Sequence, residues 1–174
     1  MDFKLRFPRR DIGKWAERYA FGPGDAAPLA LAPTIQKRGF LKKAEFVALS
    51  RWKTPRTQKR CAANSAEFVK VVTATSLSSS DERLRIEVLT LLSGVQWPTA
   101  SVILHFGART QYPILDFRAL WSLSCGVPEG GYDFDLWWAY CEFTRSLARQ
   151  TDVSMRVLDR ALWQFSKERQ PVGA

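Results

Sequence analysis

The sequence contains few histidine and cysteine residues, from which most protein metal sites and catalytic Ser-His-Asp relays are built. Its 174 residues include one histidine, His105, and three widely separated cysteines, Cys61, Cys125 and Cys141. We interpret His105 as structural or surface, because nothing else in the chain supports a Ser-His-Asp relay or a histidine metal triad. The cysteines match no zinc-site spacing, and disulfides are rare in the cytosol. We therefore predict no metal site and no disulfide framework.

Long apolar runs are also missing. No run approaches the roughly 20 residues of a membrane span. The N-terminal sequence, MDFKLRFPRR, lacks the apolar core of a signal peptide. Hydrophobic residues make up 46% of the chain and charged residues 25%, which is the balance of a globular protein. We expect a monomeric cytoplasmic protein that makes no membrane contact, with residues 1–174 in a single domain.

Positive charge is abundant and concentrated in the N-terminal third. The net charge is +9; residues 1–60 hold 15 Lys and Arg against 5 Asp and Glu, whereas residues 61–174 hold 11 against 12. Such a field attracts a polyanion, and double-stranded DNA is the commonest candidate. Composition alone leaves a solvated basic surface equally open.

Helical periodicity dominates the pattern, and no segment alternates as a half-buried strand does. We predict an all-α fold in which residues 1–38 form a basic N-terminal segment and a loop. The loop covers Phe21–Pro33, because proline and glycine are frequent there. A helix begins near Gly39 and ends in Arg51–Arg56, RWKTPR, since the residue before a proline avoids the helical region.

The region over residues 81–124 predicts two helices joined by a tight turn. The first helix begins near Asp81. Its apolar stripe, at three- and four-residue spacing, comprises Leu84, Val88, Leu91 and Leu92. Gly94 interrupts this helix, and Pro98 stands in the first turn of the next, where a proline is tolerated. Asp116 then follows a loop and opens a third helix.

Residues 92–100, LSGVQWPTA, resemble the hairpin of the helix-hairpin-helix DNA glycosylase superfamily. In that superfamily the hairpin has the sequence pattern leucine, a small residue or proline, Gly-hydrophobic-Gly, two variable positions and a small residue. In the family a loop, a proline and an aspartate follow. Here these are Pro113 and Asp116, with the aspartate 18 residues after Pro98. Residues 112–123, YPILDFRALWSL, are similar in sequence to members of a short bacterial branch of this superfamily that has the oxoguanine-glycosylase fold.

The resemblance implies a monofunctional DNA glycosylase, which flips out a base, excises it and leaves an abasic site. It gives Asp116 the catalytic role of stabilising positive charge on the sugar or orienting the attacking water. Bifunctional members carry a nucleophilic lysine where this chain has Pro98, so we expect no lyase activity unless another lysine, such as Lys53, substitutes. The competing interpretation of Asp116 is a plain helix N-cap. The excised base is either a repair lesion or a hypermodified phage base removed in anti-phage defence.

The resemblance also implies how the hairpin binds DNA. A tight turn exposes backbone N–H groups at a helix start, and we expect Gly94, Gln96 and Thr99 to contact a phosphate. We expect Arg56 to bind DNA as well. In the family such a hairpin also holds a monovalent cation through carbonyls, and we expect no other cofactor. Ser93 stands where the family has proline, and Gln96 where it has a second glycine.

We predict that the extruded base enters a pocket of aromatic and cationic side chains, since bases stack on rings and on guanidinium planes. The predicted pocket comprises Arg51, Trp52, Lys53, Trp97 and Phe117. For Trp52, a core tryptophan flanked by solvated cations is equally open. Two other functions remain open for the chain: a non-catalytic helix-hairpin-helix DNA-binding module, and an all-α protein–protein module with a basic face.

Overall fold

The computed structural model describes residues 1–19 and 23–171, and all regular structure in these ranges is helical. This confirms the all-α prediction. The chain divides into a terminal unit, Met1–Ala20 with Pro113–Ala174, and a central unit, Phe21–Tyr112. The single domain over residues 1–174 stays a prediction, because compact units are not necessarily independent folding domains. No helix within the described ranges is both long enough and apolar enough to cross a membrane.

The described residues contain ten α-helices and three 3₁₀ turns. The α-helices are α1 (Ile12–Glu17), α2 (Pro23–Arg38), α3 (Lys43–Lys53), α4 (Gln58–Ala63), α5 (Ala66–Ser78), α6 (Glu82–Glu87), α7 (Trp97–Gly107), α8 (Phe117–Ser122), α9 (Phe134–Gln150) and α10 (Met155–Arg169). The 3₁₀ turns are Arg9–Asp11, Pro55–Thr57 and Val88–Leu91. Several helices begin at a side chain that accepts a hydrogen bond from the N–H three residues on, which stabilises the helix start. These caps are Ser65, Asp81, Asp133 and Ser154.

The terminal unit is organised around α10, which packs against α1, α8 and α9. Aromatic rings fill the space beside it: the centroid of Phe165 lies 4.6 Å from that of Phe7 and 5.1 Å from that of Trp15. The extended N-terminal chain is tied to the end of α8, since the N–H of Lys4 donates to the carbonyl of Leu123 at 2.9 Å. Helix α8 is therefore held from two sides.

The central unit is organised around α7, against which α2 and α3 pack. Most of α7 is buried, and its residues Val102, Ile103 and Leu104 are fully so. At its end, Gly107 allows close approach, because a Cβ there would lie 3.3 Å from side-chain atoms of Ile35 and of Leu77. The helix whose N-terminus follows the predicted hairpin turn is thus the core helix of this unit.

The predicted loop over Phe21–Pro33 is wrong, because Pro23–Arg38 forms α2; Phe21 and Gly22 lie outside the described residues. Pro23 occupies the first helical position, where its missing N–H costs nothing, and the alanines that follow are strong helix formers. Packing on α3 and α7 then stabilises the helix despite its two internal prolines. Residues 1–38 are consequently not one region, since they divide between the two units.

Two predicted helix starts are confirmed or corrected by the same structure. The hairpin's first helix begins at Glu82, next to Asp81 as predicted, and Asp81 caps it, whereas the helix expected near Gly39 begins at Lys43. Gly39, at φ +79°, ends α2 instead.

The predicted apolar stripe of the first hairpin helix is confirmed at Leu92 and wrong at Leu84 and Leu91, which are 48% and 64% exposed. Ile86 and Leu89 are buried in their place. Beyond Glu87 the α-helix continues as a 3₁₀ turn, whose period of three residues keeps Leu89 and Leu92 on the same face as Ile86.

Candidate functional site: a braced hairpin turn and an aspartate turn

A tight turn, called the hairpin turn below, lies in the central unit at the position of the predicted hairpin. The N–H of Val95 donates to the carbonyl of Leu92 at 3.0 Å, which closes a tight turn, and α7 begins at Trp97 with Pro98 in its first turn. Gly94, inside the turn, has φ +85°, a conformation that favours glycine. The local sequence therefore stops one helical segment and starts the next within a few residues.

The turn is braced by α4 from behind. A Cβ on Gly94 would lie 2.8 Å from Sγ of Cys61 and 3.0 Å from both Cβ of Arg60 and the backbone nitrogen of Cys61. The buried Asn64 side chain donates to the carbonyl of Ser93 at 3.0 Å and accepts from its N–H at 2.9 Å. Only glycine fits this close approach, so position 94 is fixed both by its φ and by its neighbours.

Two backbone donors of the turn point to no acceptor in the described part of the protein: the N–H groups of Gly94 and Gln96. Thr99 differs, because its N–H donates to the carbonyl of Gln96 at 2.9 Å and its side chain is only 3% exposed. Gln96 has φ −122°, so replacing the family's second glycine there causes no backbone strain. The open donors of this turn are thus those of Gly94 and Gln96.

A run of cations lies beside the turn. Residues 51–60, RWKTPRTQKR, contain five Lys and Arg and no acidic residue. Arg51, Arg56, Lys59 and Arg60 are exposed and make no ion pair with any residue in the described ranges. Arg60 is the residue whose Cβ flanks Gly94, which fixes this segment next to the hairpin turn.

The structure separates the predicted pocket residues of the central unit. The indole Nε1 of Trp52 donates to Oδ1 of the buried Asp25 at 3.0 Å, and its ring meets Phe106 edge-on at 5.6 Å. Phe106 lies nine residues beyond Trp97 in α7, which is about 13 Å along the helix axis. Trp52 is therefore built into the unit away from Trp97. Arg51 is exposed, and Lys53 ends α3 half-buried.

Asp116 and Phe117 lie in the terminal unit, at the start of α8. Asp116 is half-buried, and its carboxylate accepts a hydrogen bond from the N–H of Arg118 at 2.9 Å. The N-cap interpretation is confirmed by this bond, and the cap does not preclude a second role for the carboxylate. The ring of Phe117 is 47% exposed.

Two tyrosines near Asp116 were not anticipated from the sequence. Burial and the negative charge of Asp116 raise the pKa of Tyr132, so its phenol stays protonated at neutral pH. Burial also raises the pKa of Tyr140 well above its ordinary value, and its hydroxyl donates to the carbonyl of Ile114 at 3.1 Å. Tyr132 sits in the turn-rich stretch CGVPEGGYD, where no spacing rule singles it out.

A cavity of about 280 Å³ opens in the central unit, and no predicted site residue lines it. Arg85 and Arg109 contribute to its wall. The guanidinium of Arg85 is already used, since it donates to the carbonyls of Ser76 and Leu77 at 3.3 Å and so caps the end of α5. The cavity is therefore distinct from the predicted base pocket.

His105 is placed as a structural residue, with Nδ1 2.7 Å from the carbonyl oxygen of Tyr112. Within residues 1–19 and 23–171, no group of three or more His, Cys, Asp and Glu side chains is arranged to hold a metal ion. No protein-family model, curated protein or solved structure matches this chain. A functional assignment consequently depends on the geometry of the two turns and on the resemblance of the hairpin motif.

Proposed function

We propose that this chain is a monofunctional DNA glycosylase, which binds double-stranded DNA through the hairpin turn and excises a damaged or modified base. The observation that carries the proposal is the pair of open backbone donors on Gly94 and Gln96, beside four cations without ion pairs in the described residues. Open N–H groups at a helix start and unneutralised cations together favour a phosphate.

The hairpin turn positions the DNA duplex on the protein and does not recognise the base. Backbone N–H groups hold a DNA phosphate and fix the register of the duplex, and they carry no sequence information. Arg56 and Arg60 add charge at the same turn, which strengthens binding at low ionic strength. The preference for one base therefore has to come from the residues that receive the extruded nucleotide.

The chemistry is assigned to Asp116. As the base leaves with the electron pair of the N-glycosidic bond, positive charge develops on the sugar, and a carboxylate beside C1′ stabilises it. A water oxygen forms the new bond to C1′, and the departing base gains a proton. Pro98 offers no amine where bifunctional members carry lysine, so the product is an abasic site in an intact strand.

The experiment is free-base release, measured by mass spectrometry, from a panel of duplexes that carry common lesions or hypermodified phage bases. Asp116→Asn is the matched variant, since asparagine keeps the N-cap of α8 and removes the charge. We expect the wild type to release one class of base and the variant to release it at least about 100-fold more slowly. Strand cleavage is expected only after alkaline treatment.

A non-catalytic DNA-binding module is the second candidate, and the capping hydrogen bond of Asp116 favours it, since that bond gives the residue a structural role. This candidate predicts tight, salt-sensitive DNA binding with no base release from any duplex, and equal DNA affinity for wild type and Asp116→Asn. Equal release by both proteins would contradict the role given to Asp116.

A further inference from the structure

The surface beside Asp116 in the terminal unit carries a cluster of rings and cations that the hairpin does not use. We call Phe117, Arg118, Trp163 and Lys167 the cationic aromatic patch. The guanidinium carbon of Arg118 lies 5.0 Å from the ring centroid of Phe117 and 5.7 Å from that of Trp163, and the Nζ of Lys167 lies 5.1 Å from the Trp163 ring. Helices α8 and α10 bring the four side chains together.

The cations of this patch are held by rings and not by carboxylates. Among the described residues, Arg118 and Lys167 make no ion pair, whereas Arg18 and Arg156 of the same unit pair with Glu168 at 2.7 Å and Asp159 at 2.5 Å. A ring positions a long side chain without neutralising its charge. Arg118 and Lys167 therefore keep both a fixed place and a full positive charge.

The aromatic surface of the patch is accessible. Phe117 is 47% exposed, Trp163 is half-exposed, and Lys167 is exposed. Tyr19 meets the Trp163 ring edge-on at 5.4 Å, which holds that ring in place from one side. Exposed rings interleaved with unneutralised cations are the combination that binds unpaired nucleotides, because bases stack on the rings while phosphates pair with the cations.

We infer that the cationic aromatic patch binds unpaired nucleotides of a DNA strand, with a base stacked on Phe117 or Trp163 and flanking phosphates on Arg118 and Lys167. The inference rests on the proposed function and deepens it, because it gives the terminal unit a preference for DNA whose bases have left the stack. In a fully paired duplex the bases stay stacked on one another and cannot stack on Phe117 or Trp163. Such a duplex therefore gains only the electrostatic part of this interaction.

The test compares two fluorescein-labelled duplexes of the same length, one fully paired and one with a central loop of unpaired thymines, by fluorescence anisotropy with the full chain. We expect the wild type to bind the looped duplex about 5- to 150-fold more tightly, the range that stacking of one base supports. Phe117→Leu/Trp163→Leu, which removes both rings, is expected to reduce this ratio to less than about twofold, whereas Arg118→Gln/Lys167→Gln is expected to weaken binding of both duplexes. Phe117→Leu, which keeps both cations and an apolar side chain, is expected to reduce the ratio without changing affinity for the paired duplex.

Two controls separate this inference from the hairpin proposal. Arg149→Gln removes an exposed charge of the terminal unit that contacts no ring in the described residues, and the ratio is expected to stay at the wild-type value. Arg56→Gln/Arg60→Gln is expected to weaken binding of both duplexes equally and to keep the ratio. Unchanged binding by that variant would contradict the hairpin proposal while the ratio still reports on the patch.

The inference is overturned by any of four results: a wild-type ratio near one, a wild-type ratio for Phe117→Leu/Trp163→Leu, wild-type affinity of Arg118→Gln/Lys167→Gln for both duplexes, or displacement of the looped duplex by poly-glutamate as readily as by single-stranded poly-thymidine. The last result would identify an acidic polypeptide as the occupant of the patch. Circular dichroism of each variant is compared with the wild type, and Phe117→Leu supplies the decision if a double variant does not fold.

Discussion

The two units carry the same number of cations and use them differently. The central unit, residues 21–112, holds 13 Lys and Arg against 6 Asp and Glu, whereas the terminal unit, residues 1–20 and 113–174, holds 13 against 11. In the terminal unit Arg18 and Arg156 are paired with carboxylates, while four cations near the hairpin turn make no ion pair among the described residues: Arg51, Arg56, Lys59 and Arg60. The surplus of positive charge therefore lies in the unit whose turn has open backbone donors, whereas the unit that contains Asp116 is nearly balanced in charge.

The two turns differ in the same way. The hairpin turn is specified by backbone sterics, since Gly94 has a positive φ and no room for a Cβ. The aspartate turn includes a capping hydrogen bond from the N–H of Arg118 to the Asp116 side chain. Substitutions in the first are expected to change the fold, and substitutions in the second are expected to change the chemistry.

Gly94→Ala gives the largest expected effect. A Cβ 2.8 Å from Sγ of Cys61, at φ +85°, combines a left-handed backbone with overpacking. We expect a loss of about 2–5 kcal/mol in the free energy of unfolding, measured by urea denaturation. Gly13→Ala is the matched control, because it lies inside α1 with no other atom within 4 Å of its added Cβ. That control is expected to be neutral or slightly stabilising, and equal losses in both variants would contradict the steric account.

Arg56→Gln/Arg60→Gln tests whether the surplus charge of the central unit binds DNA. We expect the slope of log K against log salt concentration for a paired duplex to fall in magnitude by about 2, one for each lost phosphate contact. Arg83→Gln is the control within the same unit, because Arg83 lies 3.7 Å from the carboxylate of Glu87. A similar change in slope for the control would mean that only total charge matters, and not its place beside the turn.

Asp116→Ala and Asp116→Asn separate capping from chemistry. Alanine removes the acceptor for the Arg118 N–H, and we expect it to lower the free energy of unfolding by about 1 kcal/mol. Asparagine preserves that acceptor, so its stability is expected to equal the wild type in thermal denaturation. If asparagine destabilises the chain as much as alanine does, the negative charge of Asp116 and not its hydrogen bond stabilises α8.

The smallest expected effect concerns the paired cations of the terminal unit. Hydrogen bonds from Arg18 and Gln164 lower the pKa of Glu168 from 4.5 to about 2. A folded-state pKa below the unfolded value adds stability at pH above about 4.5, and that stability is lost as the pH falls toward 2. We expect Arg18→Gln to lower the melting temperature slightly at pH 6, with the difference from wild type vanishing near pH 2. For Arg149→Gln no such pH-dependent difference is expected, and the same pattern there would contradict the assignment to Glu168.

The sequence was sufficient where a residue has a local reason for its role. Gly94 and Asp116 act on their own local backbone, so the turn, the cap by Asp116 and the helix start near Asp81 were predictable. The sequence was insufficient where tertiary packing determines the local structure or the place of a side chain. Helix α2 forms despite its prolines because it packs on α3 and α7. Trp52 contacts Asp25 and Phe106, which are far from it in the sequence, so no local spacing rule predicts these contacts.

The distribution of charge teaches the same lesson. The basic N-terminal third is continuous along the sequence, yet the fold assigns residues 1–20 to the terminal unit, in which 13 Lys and Arg are nearly balanced by 11 Asp and Glu and Arg18 pairs with Glu168. Within this basic third, Arg51, Arg56, Lys59 and Arg60 are exposed beside the hairpin turn and make no ion pair among the described residues. Only the fold could separate these two groups of cations.

The most direct test of the central claim is an NMR titration of the ¹⁵N-labelled chain with a short paired duplex, following the backbone amides of Gly94 and Gln96. If the hairpin turn holds a phosphate, these two amide protons shift downfield and more than those of buried α7, since each gains a charge-assisted hydrogen bond. If DNA binds while both signals stay in place, the hairpin turn does not contact the backbone of DNA, and the assignment of this turn is wrong.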